Sequence, residues 1–101
     1  MPVKEWPAME EQGALEAIVK GRVQGVFFRR FVEEHAEQLQ LNGYVRNLPD
    51  GDVEVMAEGA KEKLIKLLER LKTGPPASMV KEVKAEWSAY TGKYTQFEVR
   101  Y

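Results

Sequence analysis

The sequence predicts an α+β domain: an antiparallel sheet with two helices packed on one of its faces. Three observations lead there. Apolar and polar residues alternate in several short runs, as half-buried strands require. Two longer runs carry an apolar stripe at helical spacing. Two helices cannot cover both faces of a sheet, and the strands agree, since one of their faces reads apolar and the other polar.

The elements follow in order. Periodicity begins near Ala14, where Leu15, Ala17 and Val19 alternate with Glu16 and Lys20 as a strand. Gly21-Arg22-Val23-Gln24-Gly25 interrupts it with two glycines. A helix is expected next, with Phe28, Phe31, Val32, His35, Ala36 and Leu39 on one face and Asn42-Gly43 as its stop. Tyr44 to Leu48 reads as a strand, Pro49-Asp50-Gly51 as a turn, and Val53, Val55 and Ala57 as the second arm of a hairpin. A second helix spans about Ala60 to Lys72, striped by Leu64, Leu67, Leu68 and Leu71 and ended by Gly74-Pro75-Pro76. Val83, Ala85 and Trp87 mark a fourth strand, with Trp87 on its buried face; Phe97, Val99 and Tyr101 mark the last. The order β-α-β-β-α-β plus a terminal strand is the split βαβ, ferredoxin-like arrangement.

Size and composition bound the rest. The chain has 101 residues, 44% hydrophobic, which suits one domain with one core. That domain is expected over residues 13–101, behind an aperiodic N-terminal arm over residues 1–12 that holds Trp6. The absence of cysteine excludes disulfides, thiolate catalysis and Cys-ligated metals. With His35 as the single histidine, a multi-histidine metal site is excluded too. No metal and no cofactor are expected. A net charge of -1 gives no general attraction for nucleic acid or an anionic membrane. No apolar run reaches membrane-spanning length and no signal-peptide core opens the chain, so a cytoplasmic protein is expected; nothing in the sequence argues against a monomer, which is the expected state.

The segment Gly21 to Arg29 carries the chemical interest. It joins a strand end to a helix start, and glycines there let several N–H groups face one point. The helix N-terminus adds unpaired N–H groups and partial positive charge. Arg29 sits in that first turn, where a cation opposes the helix dipole unless an anion lies between them. Such a segment suits phosphate; it also suits a plain strand-to-helix turn with a solvated arginine. Asn47 is the second candidate, an asparagine in a strand just before the hairpin turn. It reads either as a backbone-bonding turn residue or as an amide that holds a water.

Gly21-Arg22-Val23-Gln24-Gly25-Val26-Phe27-Phe28-Arg29 resembles the signature of the acylphosphatase family, Gly-x-Val-Gln-Gly-Val-x-Phe-Arg. Gly43-Tyr44-Val45-Arg46-Asn47, followed by Asp50-Gly51 and Val53-Glu54-Val55, is similar to the family's second signature. Gly74-Pro75-Pro76 and the aromatic C-terminus also fit, so the likeness runs from about residue 14 to residue 101. Phe27 is bulkier than the small residues common at its position in the family. The resemblance implies hydrolysis of acyl phosphates, with inorganic phosphate as product and competitor. It implies that Arg29 binds the phosphoryl group, that backbone N–H groups of Gln24, Gly25, Val26, Phe27 and Phe28 surround its oxygens, and that Asn47 orients the attacking water.

The chemistry needs no more than this. A carboxylate whose conjugate acid has a pKa of about 4 leaves without a general acid. Positioning and charge stabilisation then dominate over proton transfer. His35, on the buried stripe, reads as structural; Glu33, Glu34 and Glu37 read as solvation, and Arg30 and Arg46 either as charge that steers an anion or as plain surface charge. The rival readings are a non-catalytic acylphosphatase-like module, such as those within larger maturation enzymes, and an RNA-binding ferredoxin-like sheet, for which the aromatic Lys/Arg-Gly-Phe/Tyr signature is missing.

Overall fold

Alternation along the first strand sets the architecture. In the computed structural model, which describes residues 11–101, β1 (Gln12–Arg22) buries Leu15, Ala17 and Val19 and turns Glu16 and Lys20 the other way. The arm expected over residues 1–12 lies outside the described residues except for Glu11 and Gln12, and Gln12 already belongs to β1. Then come α1 (Phe28–Gln38), β2 (Asn42–Asn47), β3 (Val53–Ala60), α2 (Lys61–Thr73), β4 (Met79–Ser88) and β5 (Phe97–Arg100). No helix among the described residues is long and apolar enough to cross a membrane.

The sheet order is β4-β1-β3-β2-β5. Register brings the inward residues into rows: Ala17 pairs with Val55 and Ala85, and Val55 pairs with Val45. Both helices close over this face. α1 contributes Phe28, Val32 and Ala36, and α2 contributes Leu64, Leu67 and Leu71, each set at helical spacing. Truncating any one of those leucines to alanine costs about 2–5 kcal/mol. The opposite face carries Glu16, Glu54, Glu58, Lys84 and Glu98, so the predicted α+β, two-helices-on-one-face arrangement is what forms.

Three details depart from the sequence reading. The sheet is antiparallel among β1 to β4, but β5 runs parallel to β2, so the whole is mixed rather than antiparallel. Alternation reports which face a residue takes and says nothing of strand direction. The stop of α1 comes before Asn42-Gly43: Gln40 takes a left-handed φ of 60°, and the Leu41 N–H turns back to the Ala36 carbonyl at 2.9 Å. That turn sends Leu41 into the core. Trp87 does lie on the helix-side face, opposite Leu15, but at 46% exposure it is not buried; it sits near the end of an edge strand, where the helices give too little cover.

Candidate active site

The loop between β1 and α1 is shaped by its backbone. At Lys20/Gly21 the pairing of β1 with β4 shifts register. Gly21 has φ 130° there, and a Cβ on it would overlap the Met79 carbonyl. Further on, Gly25 (φ 73°) and Phe27 (φ 60°) are left-handed while Val26 between them is not. Alternation of this kind is the backbone pattern of a nest, in which successive N–H groups turn toward one side. Phe27 is the N-cap of α1, makes no side-chain capping bond, and is followed by a first turn without an acidic residue. The first N–H groups of α1 are therefore left without a helix or capping partner, beside uncompensated positive charge.

A cleft of about 360 Å³ opens over this loop, lined by Gly25, Phe27, Phe28, Arg29 and Asn47 among others. The structure thus brings Arg29 and Asn47, 18 residues apart in sequence, to one cavity with the loop. Asn47 gets there by parity: Gly43 and Val45 face the helices, and Asn47 is the next residue of that series, at the end of β2. Arg29 is held in place from β5. Its guanidinium donates to the Arg100 carbonyl at 3.1 Å and lies 4.4 Å from the centroid of the Tyr101 ring.

The side chain of Gln24 does more than the sequence reading gave it. Its amide nitrogen donates to the carbonyls of Leu48 and Asp52, both at 2.8 Å. These two bonds tie the loop to the hairpin that carries Asn47. Lys20 adds a second tie, an ion pair with Asp52 at 2.6 Å; the bond to Asp52 raises the Lys20 pKa despite partial desolvation. A glutamine between Val23 and Gly25, with a polar amide in a strand-to-helix loop, was the available signal, but its partners are more than twenty residues away.

Other charged candidates sort themselves by face. Arg46 points to the sheet's open face, where it pairs with Glu54; that bond raises its pKa and removes it as a free charge at the cleft. Arg30 and Glu33 both line the cleft, and Arg30 pairs with Glu34 at 3.5 Å. His35 does not line it. Its ring packs 4.4 Å from that of Phe31, and burial, aided by the Arg70 charge, lowers its pKa, as befits a structural residue. Among the described residues no three His, Asp or Glu side chains gather as a metal site.

Known proteins match this fold and loop together. A family profile described as Acylphosphatase matches residues 15–99. An acylphosphatase of Dehalococcoides mccartyi is 49% identical over 88 residues, covering 86% of this chain and 97% of that one. The crystal structure of the Bacillus subtilis acylphosphatase superposes with a TM-score of 0.85 at 38% identity, covering 88% of this chain and 99% of that one. A full-length HypF, in a phosphate- and nucleotide-bound form, gives a TM-score of 0.76 at 25% identity, but the match takes in only 12% of its length. On a profile that spans most of the chain and relatives matched almost end to end, the chain belongs to the acylphosphatase family.

Proposed function

We propose that the cleft hydrolyses the carboxyl–phosphate bond of acyl phosphates, with Arg29 and the loop N–H groups binding the phosphoryl group and Asn47 orienting the water. The observation that carries this reading is the shared cleft: a left-handed, uncapped loop, a guanidinium and an amide meet in it.

The N–H groups of Gln24, Gly25, Val26, Phe27 and Phe28 and the Arg29 guanidinium neutralise the phosphoryl oxygens. The Asn47 amide aligns a water with phosphorus. The water oxygen bonds to phosphorus as the phosphorus–acyl oxygen bond breaks, and the carboxylate departs with the bonding pair. The water's proton passes to a phosphoryl oxygen of the substrate, so no protein base is needed. Products are a carboxylate and inorganic phosphate, and the latter competes for the same loop. In this account the chain works as a cytoplasmic monomer, without a metal or cofactor.

Two observations weigh against the binding-module alternatives. The sheet's open face is rich in carboxylates, and its Tyr44 ring is covered by the Arg100 guanidinium at 4.0 Å, which leaves a poor platform for RNA bases. The non-catalytic reading would leave Asn47 in the cleft without a task.

Phosphate release from benzoyl phosphate tests the proposal. Turnover is expected to survive exhaustive chelation and to be inhibited competitively by inorganic phosphate. Loss of turnover on chelation with recovery on adding a divalent ion would overturn the mechanism.

A further inference from the structure

Resting on the phosphate-binding reading above, we infer that Phe27 selects the acyl group, favouring acyl phosphates with a flat apolar acyl moiety. Phe27 is 82% exposed and lines the cleft, so its ring gains little from the core. It nevertheless occupies a left-handed backbone (φ 60°, ψ 27°), where a residue with a Cβ is strained and glycine is not. A large apolar side chain kept at a strained, solvent-facing position has no stabilising role that its burial can explain.

The surroundings indicate what it meets. Phe27 belongs to the loop that faces the phosphoryl group, so an acyl group on that phosphorus lies within the same cleft. Tyr101, 98% exposed, lines the cleft as well, and Arg29 is seated against its ring. Val23 and Val99 add apolar wall. Charge in the cleft argues against a second anion on the acyl group: Arg29 serves the phosphate, Arg30 is paired with Glu34, and Glu33 would repel a carboxylate. An aromatic acyl group can pack on Phe27, whereas an acetyl group is too short to cover its ring.

The test is the ratio of kcat/KM for benzoyl phosphate to that for acetyl phosphate, measured in the wild type, Phe27→Ala and Phe27→Tyr. Alanine shares phenylalanine's backbone limits at this φ, so it removes the ring without loosening the loop as glycine would. The ratio is expected to fall about tenfold in Phe27→Ala and to be kept in Phe27→Tyr. An unchanged ratio in Phe27→Ala, including an equal fall with both substrates, would overturn the inference. The two readings fail separately. The phosphate grip is tested by loss of both substrates in Arg29→Ala, and the acyl contact by the ratio alone.

Discussion

The starts of the two helices are built in opposite senses. Neither N-cap, Phe27 or Ala60, offers a side-chain capping bond. At α2 the deficit is made good: the Lys61 N–H donates to the Glu11 carbonyl at 2.8 Å, and Glu62 places a carboxylate in the first turn. Arg70 and Lys72 then complement the other end. At α1 nothing acidic occupies the first turn, and Arg29 and Arg30 add positive charge where the dipole is already positive. The difference teaches that the uncapped end of α1 is a feature of the site. One helix start is completed by its own chain, and the other opens uncapped onto the cleft, as the proposed phosphate grip requires.

Substitutions that break this contrast are expected to grade in size. Arg29→Ala should lower kcat/KM by about 10³-fold or more, and Arg29→Lys nearly as much, because an ammonium cannot make the guanidinium's two parallel bonds. Steady-state kinetics on variants with native circular dichroism checks this; near-normal activity in Arg29→Lys would remove Arg29 from the mechanism. Gln24→Ala comes next. The Leu48 and Asp52 carbonyls keep backbone partners, so losing both side-chain bonds should cost only about 1–3 kcal/mol in denaturant unfolding. Because the loop is then held less firmly against the hairpin that carries Asn47, kcat should fall by up to about 10²-fold. The expected loss of stability with an unchanged kcat would mean that the tie serves folding alone. The smallest effect is expected at the other helix: Glu62→Gln should cost about 0.3–1 kcal/mol of stability, less at high salt, with turnover unaffected. A thermal melt and one assay suffice, and a drop in turnover would show that the two helix starts are not independent.

How much of this was legible in the sequence depends on how far apart the partners lie. Leu15, Ala17 and Val19 in β1, and the leucine stripe of α2, were readable because a strand or helix face repeats within a few residues. Arg29 and the glycine loop were readable for the same local reason, and Asn47 through its signature. The parallel pairing of β5, the exposure of Trp87 and the seat of Arg29 against Tyr101 were not, since each depends on segments brought together only by the completed sheet. Gln24 shows the limit most sharply: its place in the loop was plain, but its tie to the Asn47 hairpin spans 24 and 28 residues. The left-handed Gln40 that ends α1 was hidden too, because a glutamine carries no stop signal of its own and the burial of Leu41 sets its conformation.

The central claim is a division of labour, in which Arg29 grips phosphate and Asn47 holds water. Titration calorimetry of inorganic phosphate into Arg29→Ala and Asn47→Ala tests it most directly, alongside kcat for each. A water-orienting amide contributes mainly in the transition state, whereas the arginine acts in the ground state as well. Asn47→Ala is therefore expected to bind phosphate almost as the wild type does while kcat falls by about 10²–10³-fold, and Arg29→Ala is expected to lose phosphate binding altogether. Equal loss of phosphate affinity in the two variants would contradict the account and make Asn47 part of the phosphate cradle.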